Sequence, residues 1–259
     1  MSEYLVEMND ITVQFPGVLA LDHVHFDAKP GEVHVLPGEN GAGKSTIMKV
    51  LAGVNTNYEG EIIYKGEKIV SRSIEEQRER GVSIIFQELN QLKNLTVAEN
   101  IFMGRQPTKA GGQIDWKTMN RKARELLDSI HSDISEKAQV SSLSVGQMQM
   151  VEIAKALSFD CDIIIMDEPT SALTEKEVAS LFEIIDGLKK KGVAIVYISH
   201  RLEEIMKIGD RLTIFRDGKY IDTVNVKDIT IDQMVAMMVG REMTDYYPKV
   251  DVKPGEKLL

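Results

Sequence analysis

The sequence predicts an α/β fold: a parallel sheet crossed by helices, with an antiparallel β portion and an inserted helical portion. Three observations predict it. A short apolar run at 33–36 leads into a glycine-rich segment, after which Ile47, Val50 and Leu51 fall at helical spacing. Two apolar runs, 162–166 and 193–198, flank a helical stripe of Val178, Leu181, Phe182, Ile185 and Leu188. Strand–helix–strand order requires a crossover, and a crossover makes the strands parallel. Between 89 and 158 helical patterns replace strands.

The elements follow in order. Residues 4–13 and 19–26 carry β-type side chains on either side of Pro16-Gly17, a turn signal. Gly53 is a stop for the helix that begins near Lys44. Residues 61–64 and 68–70 read as a hairpin across Lys65-Gly66, and 82–86 as a further buried strand. The helix after 173 opens with a capping box, Thr174 to Glu177. Residues 211–215 and 220–224 form a second hairpin, with Asp217-Gly218 as a type I′ turn. The stretch 246–259 has two prolines and little pattern, so it reads as a linker.

Composition narrows the function classes. Of 259 residues, 43% are hydrophobic and 27% charged, enough to build a real core. The net charge of −9, with no basic patch, argues against nucleic acid as a partner. The single cysteine, Cys161, cannot form an internal disulfide, which fits a reducing compartment. The acidic N-terminus is not a secretory signal, and no apolar run is long enough to span a bilayer. The expectation is a soluble chain that reaches a membrane only through a partner.

Gly38, Glu39, Asn40, Gly41, Ala42, Gly43, Lys44 and Ser45 match G-x-x-x-x-G-K-[ST], between a strand and a helix. A triphosphate needs many donors at short range, and glycines let backbone amides converge on it. Lys44 would reach the β- and γ-phosphates, and the Ser45 hydroxyl would ligate Mg²⁺. The helix beginning near Lys44 points its positive end at the anion. ATP binding is therefore expected. Downstream, the strand at 163–166 ends in Asp167, Glu168 and Pro169. Beside a phosphate loop, Asp167 suits Mg²⁺ and Glu168 can orient and deprotonate an attacking water. Alone, the same pair would be two solvated acids at a strand end.

Leu143-Ser144-Val145-Gly146-Gln147 precedes Met150, Ile153, Ala154 and Leu157 on one helical face. Ser144 can cap this helix, with Gln147 as its reciprocal partner. An exposed helix start behind a serine also suits a γ-phosphate. The ordered set is the phosphate loop, Gln87 at a strand end, this segment, the acid pair and His200 after another strand. It resembles the ABC ATPase family from about residue 4 to 241.

The resemblance implies a P-loop NTPase fold with a RecA-like core, an antiparallel β subdomain and an inserted α-helical subdomain. It implies that Phe15 stacks on adenine; a packed aromatic before a Pro-Gly turn is the other reading. Asn40 through Thr46 would hold the phosphates. Gln87 would touch Mg²⁺ or the lytic water and signal to a membrane partner. Ser144, Val145, Gly146 and Gln147 would meet the γ-phosphate of an ATP held by an opposing ATPase domain, head to tail. His200 would bond the γ-phosphate; a surface histidine at a strand end is its alternative.

Val145 stands where the signature usually has glycine, Thr174 where aspartate is usual, and Pro37 directly before the loop. Val145, Thr174, the run Phe15-Pro16-Gly17-Val18 and the segment 199–205 are similar to the amino-terminal half of bacterial monosaccharide-import ATPases. That resemblance implies one ATPase domain at 1–245, with β-rich stretches at about 1–35 and 55–80, a helical insertion at about 89–158, and the 246–259 linker toward a second half. Its partners would be that second ATPase domain, transmembrane permease subunits and, indirectly, an extracytoplasmic sugar-binding protein, at the cytoplasmic face of the inner membrane. Two other functions share these motifs: a mechanical ATPase unrelated to transport, and a nucleotide-binding regulatory module with little turnover.

Overall fold

The computed structural model describes residues 3–240, so the expected linker lies outside the described residues. The chain opens with β1 (Val6–Phe15) and β2 (Val18–Ala28), an antiparallel hairpin. Next come β3 (Val33–Pro37), α1 (Lys44–Leu51), the hairpin β4 (Glu59–Tyr64) and β5 (Glu67–Ile69), α2 (Ile74–Glu79) and β6 (Val82–Ile85). Helices α3 (Val97–Ile101), α4 (Trp116–Ser129) and α5 (Val145–Leu157) form the helical portion. The chain then returns through β7 (Ile163–Asp167), α6 (Glu175–Lys190), β8 (Ala194–Ser199) and α7 (Leu202–Ile208). It closes with β9 (Arg211–Arg216), β10 (Lys219–Asn225) and α8 (Ile231–Val239). No helix among the described residues is long and apolar enough to cross a membrane.

Two sheets result. One is antiparallel, in the order β2-β1-β4-β5. The other runs β10-β9-β3-β8-β7-β6 and is parallel except for the edge pair β10–β9. The unbroken apolar runs have a physical cause here. Ile163 and Ile165 of β7 face one hydrophobic layer with α1 and the antiparallel sheet. Ile164 and Met166 face a second layer with the helices. Side chains alternate across a strand, so a central strand covered on both faces reads as a nearly continuous apolar run. Each buried isoleucine contributes roughly 1.5–3 kcal/mol.

Both hairpin expectations hold. Lys65 and Gly66 have φ of 52° and 82°, Asp217 and Gly218 of 52° and 74°, the double left-handed signature of a type I′ turn. Two boundaries differ from the sequence reading. Residues 33–35, placed with the β-rich portion, belong to the parallel sheet, because both faces of β3 are buried. Residues 74–79, also placed there, form α2, capped by the Ser73 side chain accepting from the Glu76 amide.

The parallel register sets up the site. Leu36 and Asp167 both pair with Ile198, Pro37 pairs with Ser199, and Ile85 pairs with Met166. The strands β3, β6, β7 and β8 therefore end level with one another. Gly38, Gln87, Glu168 and His200 leave the sheet at that same carboxyl edge, where open α/β sheets bind ligands. Pro37 fits because it ends β3, beyond Val35↔Leu212, the last β3–β9 pair, so its missing N–H falls where that ladder has stopped.

Candidate nucleotide-binding site

The phosphate loop wraps around its own lysine. Lys44 is 5% exposed, and its Nζ donates to the carbonyls of Gly38 at 2.8 Å and Glu39 at 2.7 Å. Burial pushes the ammonium pKa down, while the charges of Glu168, Asp167 and Glu39 act against that shift. Gly43 has φ of 103°, and a Cβ there would lie 2.6 Å from the Leu21 side chain and 3.3 Å from the Ala20 carbonyl. Only glycine allows that approach. A cleft of about 380 Å³ opens over the loop, walled by residues 40–46, Val18, Leu19, Ala20, Asp217 and Gly218.

Asp167 ends β7 at 6% exposure. Burial raises its carboxyl pKa and the Glu168 charge adds to this; a hydrogen bond with Ser45 and the Lys49 and Lys44 charges oppose it. A hydroxyl and a carboxylate held together, in a place where negative charge is costly, are hard oxygen donors that suit Mg²⁺.

Glu168 has left-handed backbone, φ 48°, and its N–H donates to the Ile198 carbonyl at 3.1 Å. Such a backbone costs on the order of 1 kcal/mol and is typical of functional sites. Its Oε1 lies 3.1 Å from His200 Nδ1, and its Oε2 accepts from Gln87 Nε2 at 3.4 Å. The structure thus brings Gln87, Glu168 and His200 together. With the Gln87 amide nitrogen turned to Glu168, its oxygen is the atom left for a cation.

The Ser144 segment stands apart. None of residues 144–147 lines the cleft over the phosphate loop. Ser144 caps α5: its Oγ accepts from the Gln147 N–H at 3.2 Å, and the Gln147 side chain accepts from the Ser144 N–H at 3.0 Å. Ser144 is exposed and Val145 is 53% exposed. Gly146 is buried; a Cβ on it would lie 3.0 Å from the Ala172 carbonyl and 3.1 Å from the Glu177 carboxylate.

Comparison with known proteins gives the family and the fold. The sequence profile described as ABC transporter matches residues 21–171. The chain belongs to the ABC transporter family. It is 49% identical, over 99% of its length, to a putative ribose/galactose/methyl galactoside import ATP-binding protein of Halalkalibacterium halodurans. It is 50% identical, over all of its length, to a galactose/methyl galactoside import ATP-binding protein of Photobacterium profundum. It covers 49% and 51% of those two proteins, so the chain spans about half the length of the curated relatives it matches. A solved nucleotide-free ATP-binding cassette from an ABC transporter superposes with a TM-score of 0.80 at 26% identity, over 91% of this chain and 98% of that one. A cassette in its ADP conformation gives 0.78 at 26% identity, over 93% and 100%.

In this ABC cassette two departures from the family pattern, Pro37 and Thr174, have local explanations. Thr174 caps α6: its hydroxyl and its N–H both donate to Glu177 Oε2 at 2.8 Å. The same Glu177 walls the space beside Gly146, so the starts of α5 and α6 pack as one unit. Phe15 is 43% exposed at the tip of the β1–β2 hairpin, paired with Val18. Val18 and Leu19 line the cleft and Phe15 does not.

Val18, Leu19, Ala20, Asp217 and Gly218 are the wall residues that sequence reasoning missed. Asp217-Gly218 carried a turn signal but nothing to say that the turn would close against the phosphate loop. A second group of ligand-type side chains, Asp27, Glu32 and His34, already has a cation of its own. Arg211 lies 2.6 Å from Asp27 and 3.3 Å from Glu32, and His34 Nε2 is 2.7 Å from the Thr213 hydroxyl.

Proposed function

We propose that this chain is an ATP-binding and hydrolysing cassette, the amino-terminal one of two, in an importer of a simple sugar. The supporting observation is its likeness, end to end, to sugar-import ATP-binding proteins about twice its length. On this reading ATP enters the cleft with its β- and γ-phosphates on the amides of residues 40–46, and Lys44 Nζ exchanges its two carbonyls for phosphate oxygens. Phe15, at the hairpin tip, stacks on the adenine. Ser45, Asp167 and the Gln87 oxygen hold Mg²⁺, which when bound neutralises charge on the transferring phosphoryl group.

Glu168 takes a proton from the attacking water, whose oxygen bonds to the γ-phosphorus as the bond to the ADP oxygen breaks. The products are ADP and phosphate. His200 bonds the γ-phosphate and steadies Glu168. Ser144, Val145, Gly146 and Gln147 face a second ATPase domain, head to tail, and complete its site. Transmembrane permease subunits dock near Gln87 and the helical portion. A sugar-binding protein delivers the solute outside, and the cassette sits at the cytoplasmic face of the membrane.

The test is reconstitution in vesicles of this cassette, its sister cassette and the permease. Hydrolysis that rises with a monosaccharide and its binding protein is the expected result. Recovery of the chain with ribosomes and no membrane protein would reverse the reading in favour of a mechanical ATPase.

A further inference from the structure

Away from the cleft, one buried carboxylate gathers four donors. Glu204, in α7, is 8% exposed. Its Oε2 accepts from the Tyr197 hydroxyl at 2.8 Å, Thr170 Oγ1 at 2.9 Å and Ser199 Oγ at 3.3 Å. Its Oε1 accepts from Arg201 Nη1 at 3.2 Å. A buried carboxylate costs several kcal/mol unless its lone pairs are satisfied, and here they are. Burial, and then the Glu204 charge, push the Tyr197 phenol well above its ordinary pKa, so it remains a donor.

The positions of these donors matter more than their number. Thr170 lies two residues after Glu168, and Ser199 directly precedes His200. One carboxylate therefore ties the loop that carries the acid to the loop that carries the histidine. On the other side, the Glu168 N–H is fixed to Ile198. The two ties bracket the 3.1 Å contact between Glu168 and His200. Glu204 itself does not line the cleft.

We propose that Glu204 is a positioning residue for hydrolysis, setting the distance between Glu168 and His200 without touching nucleotide. The proposal rests on the hydrolytic reading above. Glutamine at 204 keeps the size but turns an amide NH₂ toward hydrogen-bond donors, so part of the tie is lost.

The test uses the cassette assembled with its sister cassette. Glu204→Gln should lower kcat on the order of ten- to a hundredfold, as removal of an outer orienting partner does, with KM for Mg·ATP and nucleotide affinity unchanged. In a His200→Ala background the same substitution should remove no further rate, since residues acting as a unit are non-additive. Thr170→Val and Ser199→Ala each cut one end of the tie while leaving the carboxylate in place, and each should lower kcat by less. They decide the matter if Glu204→Gln does not fold. Wild-type kcat in folded Thr170→Val and Ser199→Ala, or a full loss from Glu204→Gln on top of His200→Ala, overturns the proposal alone. Absence of hydrolysis in the unsubstituted assembly removes the hydrolytic reading and this proposal with it.

Discussion

Residues 38–46 are walled by their own chain, whereas Ser144 and Val145 stand exposed at the start of α5. The phosphate loop rests on β2 and on the β9–β10 turn, and its lysine is buried with both donated bonds made inside the loop. The α5 start is a capped helix with its serine and valine in the open and only its glycine packed. Both segments begin helices, and both carry a sequence motif. The difference lies in what faces them. On the proposed reading, the first motif meets its nucleotide within the chain, and the second, complete as a helix cap, needs a partner domain's nucleotide.

Substitutions can sharpen or break this contrast. The largest expected effect is on catalysis. Glu168→Gln should lower hydrolysis by on the order of 10²–10⁴, the range for a lost general base, while ATP still binds. Phosphate release and fluorescent-nucleotide binding, measured side by side, check it. Next comes Lys44→Ala, which removes a charged donor from the loop. Nucleotide affinity should fall by about a hundredfold, roughly 3 kcal/mol. If affinity instead survives that change and is lost with Ser144→Ala, the two segments have been assigned the wrong way round.

Asp167 gives a smaller effect of opposite sign. Burial raises its folded-state pKa, so the folded protein holds that proton more readily than the unfolded chain. Its contribution to stability therefore falls as pH rises from the ordinary aspartate value through the raised one, and the cost persists at neutral pH. Asp167→Asn should raise the Tm of the nucleotide-free protein at pH 7 by about 2–4 °C per kcal/mol recovered, and weaken Mg²⁺-dependent nucleotide binding. Calorimetry at pH 7, and again just above the ordinary aspartate range, should show the gain shrinking on acidification.

Gly146→Ala should be the mildest. The added methyl meets the Ala172 carbonyl at 3.0 Å, a cost of about 1 kcal/mol in Tm terms. Nucleotide affinity of the same chain should not move.

Much of this contrast is legible in the amino-acid sequence. The isoleucine run of β7, the two type I′ turns and the capping boxes at Ser144 and Thr174 are local signals, and each appears where its residues put it. The phosphate loop is legible because its chemistry is contiguous. Short helices are less so. Helix α2 is a single capped turn and a half with one buried side chain, too little for periodicity to show. Helix α8 opens on a Thr230–Gln233 capping box, with Met234 buried and Met237 and Met238 partly buried against the core.

What stays hidden depends on contacts distant in sequence. No local pattern says that the Asp217-Gly218 turn closes on Gly43, or that Glu204 joins Thr170 to Ser199. Val18 lines the cleft and Phe15 does not, although the two pair across the hairpin, and no local pattern marks that difference.

On the proposed reading, the loop at Lys44 and the segment at Ser144 serve different nucleotides. Complementation between two defective cassettes is the test. Lys44→Ala and Ser144→Arg, made in this chain and at the matching positions of the sister cassette, should each abolish hydrolysis when both cassettes carry them. Paired in one assembly, they leave one site with an intact loop from the Ser144→Arg copy and an intact signature from the Lys44→Ala copy. Hydrolysis should return in the mixed assembly. A mixed assembly that forms, binds ATP at its intact loop and stays inactive would contradict it, as would a Ser144→Arg cassette that hydrolyses ATP at the wild-type rate.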